Sequence, residues 1–307
     1  MLWFLFALTG YLLLAMVFVL DKLILTKTLD KPVVYTFYST IFMVLALLAW
    51  PFGVQLLVMT DWLWAFVSGI AFGLALWSMF IAVKREEASH INPFIGAITT
   101  IITYALAALF LAERLTTESV WGVITLFAAT LLLSLFGEGR KPGLSRGLWW
   151  GVAAGLLFAV SHSSAKYLYE IYPFLTAFVW TRATTALVGF MCLFSPAVRR
   201  TFRRKESETI RRCRSCGYSR TYTVALVAAT KLLGVVAVIC IQYAIAIGSV
   251  TVVNALVGLQ YAFMFLLIYL STRYIPKIFK EHFSRKELAI ETAAIVLVLF
   301  GSALFVL

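Results

Sequence analysis

Long runs of apolar residues dominate the chain, and short polar or basic segments separate them. A helix needs about 20 mostly apolar residues to cross a bilayer. The runs do not alternate apolar and polar positions as membrane-spanning strands do, so the pattern predicts helices rather than a β-barrel. Ten runs approach or exceed the required length: residues 2–25, 33–59, 62–83, 91–111, 120–136, 148–168, 174–194, 222–247, 250–270 and 288–307. The sequence therefore predicts an all-α membrane protein with ten transmembrane helices.

Composition supports the same class. The 307 residues are 62% hydrophobic and 13% charged, whereas a soluble domain is about half apolar and about a quarter charged. A water-soluble fold of this length has too little interior to bury so much apolar surface. The first run has no basic n-region and no small-residue cleavage site, so we expect a retained helix and not a signal peptide. No Walker loop, dinucleotide glycine fingerprint or His-Glu zinc motif occurs.

Basic residues mark one side of the predicted membrane protein. Of the 26 lysines and arginines, 22 lie in or beside the connections that follow spans 1, 3, 5, 7 and 9, and the other connections hold only Arg114. The positive-inside rule makes the basic side cytoplasmic. The first and third connections are basic in the first half, whereas the second and fourth are basic in the second half. Equivalent connections therefore lie on opposite sides of the membrane, as inverted repeats require. The net charge of +12 therefore indicates orientation and contact with anionic lipid head groups, and not nucleic-acid binding.

Residues 80–133 carry the most specific motif of the chain. The small, polar stretch "EASHINPFIGAITT" opens the fourth predicted helix, and "FLAERLTTESVWGVITLFAATLLL" places Glu113 and Arg114 directly before the fifth. This stretch resembles the end of an EamA-type repeat of the drug/metabolite transporter superfamily, in which a helix closes with Glu-Arg-Leu-Thr. The resemblance implies two inverted five-helix repeats, here residues 1–137 and 147–307. It also implies a central cavity and alternating access by rocking of the two halves.

Three basic residues lie inside the predicted spans of the second half, namely Lys166, Arg182 and Lys231. A charged side chain at the middle of a transmembrane helix costs roughly 2.5–3.5 kcal/mol unless it faces a partner or a wet cavity. Lys166 has Glu170 at helical i,i+4 spacing, which favours a local ion pair. Arg182 and Lys231 have no carboxylate at comparable depth in the neighbouring spans. The pattern predicts a cavity that attracts anions.

Other polar residues within the spans extend this candidate site. His162 shares a face of the sixth span with Lys166, and Asn254 and Tyr261 share a face of the ninth. The candidate substrate-binding residues are Arg182, Lys231, His162, Lys166, Asn254, Tyr261 and Gln242. A hydrogen-bonded interior role is the alternative for His162.

Two pairs of glycines have the small-xxx-small spacing: Gly69 with Gly73, and Gly151 with Gly155. This spacing is typical of close helix packing rather than of ligand sites.

These features predict a secondary transporter and not an enzyme. We expect a monomeric, multi-pass protein of the plasma (inner) membrane that moves a small anionic or zwitterionic metabolite, such as an amino acid or organophosphate, without a cofactor. One alternative is a membrane-embedded lipid-modifying enzyme, for which Glu86, Glu87 and His90 are the candidate cluster. Another is a non-transporting scaffold or receptor that signals through the loop at residues 199–220.

Two cysteines, Cys213 and Cys216, lie within that basic loop. A structural zinc ion needs four ligands, and one cysteine pair supplies only two. We therefore expect reduced thiols in a cytoplasmic loop and no metal site.

The charge asymmetry predicts that both ends of the ten-span chain lie outside the cytoplasm. A reporter that is active only in the cytoplasm, fused after Leu307, should be silent in intact cells. The same reporter inserted in the connection after span 5 should be active and serves as the control. Activity at the C-terminal position would reverse the assigned orientation.

Overall fold

The computed structural model describes residues 2–25, 32–85, 88–111, 116–135, 146–203, 220–274 and 285–304. These ranges contain helices and no strand. The helices are α1 (Leu2–Leu25), α2 (Pro32–Ile41) with a 3₁₀ continuation (Phe42–Phe52), α3 (Asp61–Arg85), α4 (Ala88–Phe110), α5 (Thr117–Leu135), α6 (Arg146–Ile171), α7 (Phe174–Cys192), α8 (Pro196–Arg203), α9 (Arg220–Ile247), α10 (Val250–Ala255), α11 (Val257–Tyr274) and α12 (Arg285–Ala303).

In the described part of the chain, seven helical segments are long and apolar enough to cross a membrane. They correspond to α1, α2 with its 3₁₀ continuation, α3, α4, α6, α7 and the pair α10–α11. Shorter apolar stretches, Thr117–Leu132 and Leu232–Ile247, occupy α5 and α9. The protein is therefore an all-helical, multi-pass membrane protein. The assignment of α5, α9 and α12 as further spans stays a prediction.

Local sequence explains where several helices begin. Proline suits the first helical position because its missing N–H has no partner there, and Pro32 begins α2. Thr116 caps α5, since its hydroxyl oxygen accepts the Ser119 N–H at 3.3 Å. Asp61 begins α3, and Lys84 and Arg85 end it, so each charge complements the adjacent pole of the helix dipole.

The second apolar run, residues 33–59, does not form one α-helix as predicted. The α-helix ends at Ile41, the 3₁₀ helix ends at Phe52, and Gly53 follows with a φ of 90°. The Thr40 hydroxyl donates to the Thr36 carbonyl at 2.8 Å, but threonines inside the continuous helices α4 and α7 make the same bond, so it does not by itself explain the change. Hydropathy alone does not reveal this change, because the residues on both sides of it are apolar.

The ninth apolar run is also interrupted. Leu256 separates α10 from α11, and its N–H contacts the carbonyls of Val252 and Asn254. At the other end of α10, the Ser249 hydroxyl oxygen accepts the Val252 N–H at 3.0 Å. This span is therefore discontinuous, and Asn254 lies two residues before the break at Leu256.

Glycines set the close packing of α3 against α7. A Cβ atom on Gly69 would lie 2.6 Å from the Thr185 backbone nitrogen, and one on Gly73 would lie 2.6 Å from Val188 Cβ. On α6, a Cβ atom on Gly155 would lie 2.8 Å from Ile98 Cβ. The prediction that both glycine pairs serve helix packing is confirmed. Together these contacts bring α3, α4, α6 and α7 around one interior.

The connections after spans 2 and 6 meet at one end of the bundle. Tyr172, between α6 and α7, donates its hydroxyl proton to Asp61 Oδ2 at 2.6 Å and accepts the Val58 N–H at 3.0 Å. The hydrogen bond to the Asp61 carboxylate raises the pKa of the Tyr172 hydroxyl. The structure thus agrees with the prediction that these non-basic connections share one membrane side. We call this end of the bundle the Tyr172 end.

The packing predicts that Gly69→Ala lowers stability, because the added methyl group meets the α7 backbone. Overpacking of this kind costs about 1–3 kcal/mol, and thermal unfolding of the purified protein in detergent measures it. Gly234→Ala is the matched control, since a Cβ atom there would lie 3.8 Å from its nearest neighbour, Val17. Equal unfolding temperatures for the two variants would contradict the packing role of Gly69.

The Asp61–Tyr172 hydrogen bond predicts a coupled effect on stability. Tyr172→Phe and Asp61→Ala should each lower the unfolding temperature, and the double variant should fall by less than the sum of the two, because the shared bond is lost only once. The pKa of Tyr172 is raised, so its hydroxyl should stay protonated at a pH equal to the ordinary tyrosine pKa. The stability from the Tyr172–Asp61 hydrogen bond should then be lost only as the pH rises through the raised pKa. Fully additive effects would mean that the two side chains act independently.

Candidate substrate site

Arg182 lies near the middle of α7 and is 3% exposed. Its Nε, Nη1 and Nη2 atoms have no hydrogen-bond partner among the described residues. The guanidinium carbon lies 4.3 Å from the centre of the Phe72 ring and 5.7 Å from that of Phe178. A buried guanidinium keeps a large desolvation cost unless acceptors are supplied to its five N–H donors. Arg182 is therefore suited to receive an anion.

His162 and Asn254, two of the predicted residues, meet directly. His162 Nδ1 lies 2.8 Å from Asn254 Oδ1, and Asn254 Nδ2 donates to Thr103 Oγ1 at 3.3 Å. The Thr100 hydroxyl donates to the Asn254 backbone carbonyl at 3.2 Å. With the amide oriented in this way, Nδ1 of His162 carries the hydrogen, and Nε2 is the acceptor of the neutral ring. The network joins α6, the interrupted ninth span and α4.

Aromatic rings connect Arg182 to His162. The centre of the His162 ring lies 6.3 Å from that of Phe72, and the Arg182 guanidinium packs on the same Phe72 ring. Phe158 lies 5.5 Å from Phe72 and 6.1 Å from His162, centre to centre. The interior between α3, α6 and α7 is therefore a cationic and hydrogen-bonding site with aromatic walls. We call Arg182, His162, Phe72, Phe158 and Phe178 the arginine site.

Lys166 lies one helical turn from His162, on the side of the Tyr172 end. Its ammonium group is 3.6 Å from the Glu170 carboxylate and donates to the Ala246 carbonyl at 3.2 Å. The predicted i,i+4 ion pair is confirmed. Both side chains line a cavity of about 250 Å³ together with Leu111, Gly248 and Ser249. This cavity and the arginine site lie on successive turns of α6.

Gln242 and Tyr261 make hydrogen bonds between helices. Gln242 Oε1 accepts the Tyr169 hydroxyl at 2.9 Å, and the Tyr261 hydroxyl donates to the Asn92 carbonyl at 2.7 Å. Their polar atoms are thus engaged in joining α9 to α6 and α11 to α4. Their assignment as substrate-binding residues stays a prediction, as does that of Lys231, whose side chain lies outside the described residues.

Sequence reasoning did not select several side chains that shape this interior. Phe72 contacts Arg182, Thr103 holds Asn254, and the Tyr11 hydroxyl donates to the Val253 carbonyl at 2.8 Å. The spacing of Thr100 and Thr103 on one helix was a signal for a polar face. Phe72 and Tyr11 carried no signal, because aromatic residues are frequent throughout the apolar runs.

Most residues on which the two alternative functions depend lie outside the described residues. Glu86, Glu87, Cys213 and Cys216 are not described, nor is the side chain of His90. Within the described ranges, no group of three His, Cys, Asp or Glu side chains could hold a metal ion.

Comparison with solved structures establishes a shared fold. One crystal structure, titled only "Crystal structure of protein", aligns with a TM-score of 0.67 over 98% of this chain and 97% of that chain, at 18% sequence identity. At this identity the likeness concerns the fold alone. No curated protein matches the sequence.

A family comparison gives the more specific result. Residues 1–135 match the sequence profile described as the EamA-like transporter family. The matched region includes α1 to α5, with Phe72 of the arginine site and Thr103 of its hydrogen-bond network. Residues 1–135 are therefore similar in sequence to the EamA-like transporter family, which belongs to the drug/metabolite transporter superfamily.

Proposed function

We propose that the protein is a secondary transporter that moves a small anionic or zwitterionic metabolite across the plasma membrane by alternating access. Arg182 is the observation that carries this proposal. It is buried at mid-helix with its donors unmatched by the described residues. Ionisable groups at such positions in membrane proteins commonly mark a substrate pathway. The similarity of residues 1–135 to a transporter family supports the transport activity, and the positive charge of Arg182 supports an anionic cargo.

The helix packing supports two inverted five-helix halves, residues 1–137 and 147–307. The first span, α1, packs on the eighth, α9, just as the sixth, α6, packs on the third, α3. The second span packs on the seventh, and α5 packs on α12. If each span is replaced by its equivalent in the other half, five places along the chain, the same pairs of spans are again in contact. For example, the pair of spans 1 and 8 becomes the pair of spans 6 and 3. A pseudo-two-fold axis between the halves has this effect, and inverted repeats of transporters are related in this way.

The position of the arginine site supports alternating access. Phe72 belongs to the first half, whereas Arg182 and His162 belong to the second. The His162–Asn254 pair contacts the first half through Thr103. Rocking of one half against the other would therefore change the distances within the site. Substrate sites of many transporters lie near the bilayer midplane at such a repeat interface, beside interrupted helices.

Contacts at the Tyr172 end support a closing function on that side. The Asp61–Tyr172 bond joins the two halves, and the Trp180 indole N–H donates to the Gln55 carbonyl at 2.8 Å. Thr176 also accepts the Gln55 N–H at 3.1 Å. Separation of the halves at this end requires breaking these bonds. The cavity beside Lys166 and Glu170 lies at the same end of the bundle.

Transport by Arg182 variants tests the proposal. A thermal-shift screen with amino acids, organophosphates and nucleotides first identifies an anionic cargo, and its uptake into proteoliposomes is then measured. Arg182→Gln should abolish uptake. Arg182→Lys should weaken it strongly, because a lysine is a point charge and cannot form the two parallel hydrogen bonds that a guanidinium gives to a carboxylate or phosphate.

Arg199→Gln is the matched control for this experiment. Arg199 also lies beside an aromatic ring, 5.8 Å from the centre of Phe194, but it is exposed outside α7. Its removal should leave uptake at the wild-type rate. Wild-type uptake by well-folded Arg182→Gln would overturn the role of Arg182, and absence of flux for every solute would favour the scaffold alternative.

A further inference from the structure

We infer that the cargo is an organic monoanion, a single carboxylate on an apolar or aromatic body, and that phosphate monoesters are poor ligands. This inference rests on the proposed function and narrows the substrate class of the same site. It follows from three features of the arginine site: its number of charges, the hydrogen-bonding groups that face it, and its walls.

The first feature is charge. Arg182 and Asp61 are the only charged side chains in the buried class among the described residues. Asp61 lies at the Tyr172 end and accepts the Tyr172 hydroxyl. Lys166 is already paired with Glu170. Among the described side chains, Arg182 therefore supplies the one uncompensated positive charge of the site, which a monoanion neutralises. A dianion would leave one negative charge buried without a partner, which is strongly unfavourable.

The second feature is the set of hydrogen-bonding groups. The planar guanidinium of Arg182 matches the two oxygens of a carboxylate with two parallel N–H donors. His162 uses its Nδ1 hydrogen on Asn254, so the neutral ring presents Nε2 as an acceptor and not as a second donor. The described groups thus fit a carboxylate, with a neighbouring hydroxyl or amine as a partner for His162.

The third feature is the apolar wall. Phe72 and Phe178 flank the guanidinium at 4.3 Å and 5.7 Å, and Phe158 packs on Phe72 with an angle of 72° between the rings. Binding sites for organic ligands commonly combine such walls with a few polar groups that fix orientation. The arginine site holds the acid group at Arg182 and offers aromatic surface to the remainder of the cargo.

Two probes with the same aromatic body test this inference on the purified full-length protein. Radiolabelled phenylpropanoate is bound, and unlabelled phenylpropanoate and phenylethyl phosphate compete for it. The ester has its second pKa near 6, so at pH 7.5 it must take up a proton to bind as a monoanion, and it should compete about 30-fold less well. At pH 6 about half of the ester is already a monoanion, and the difference should shrink to about twofold.

The carboxylate stays ionised at both pH values, so the change in this ratio reports the charge that the site accepts. Phenylpropanol, which is neutral, should not compete at either pH. Arg182→Gln should lose phenylpropanoate binding, whereas Arg199→Gln should retain it. Competition by the ester as strong as that of the acid at pH 7.5, or a ratio that is the same at both pH values, would overturn the monoanion inference.

Failure of this inference differs from failure of the proposed function. If phenylpropanoate does not bind but an organophosphate is transported with full dependence on Arg182, the transporter proposal stands and the monoanion inference is wrong. If no anion gives flux that depends on Arg182, the proposed function fails as well.

Discussion

The interior of this protein is organised around a positive charge that the described part of the protein leaves incompletely compensated. Arg182 is enclosed by α3, α6 and α7, and its described neighbours are aromatic rings and not carboxylates. Cation–π contacts contribute about 0.5–2 kcal/mol, whereas a charge at mid-helix costs roughly 2.5–3.5 kcal/mol. The two rings offset much of this cost, but they leave the guanidinium N–H groups without acceptors among the described residues. The close packing of α3 on α7 through Gly69 and Gly73 brings Phe72 to this position.

The other buried polar groups follow a different rule. In lipid, each polar group must find a partner within the protein. Tyr11, Tyr169 and Tyr261 all do so through hydrogen bonds that join separate helices. The exceptions among the described side chains include the hydroxyls of Ser161 and Ser163 beside His162 on α6, and all three guanidinium nitrogens of Arg182. Apart from the Asn92 side-chain oxygen on α4, these unmatched groups lie on α6 and α7, where the arginine site lies.

Several features could be predicted from sequence because they depend on neighbouring residues or on the bilayer. Apolar runs predicted the membrane helices, and the four-residue spacing predicted the ion pair of Lys166 with Glu170. The failures lie where an apolar run changes its helix type or is interrupted. Thr36 and Thr40 lie in the second run, which changes to a 3₁₀ helix, and Leu256 interrupts the ninth. Hydropathy does not distinguish these stretches from continuous α-helix.

The sequence by itself determined that the chain lies in a membrane, which connections are basic, and that a buried charge at Arg182 needs an explanation. Each of these depends on the partitioning of individual residues between water and lipid. Only the tertiary structure decided that Phe72 covers Arg182 and that His162 bonds to Asn254, 92 residues away. Contacts between helices depend on which faces pack together, and that choice is made by the fit of glycines and side chains across the whole bundle.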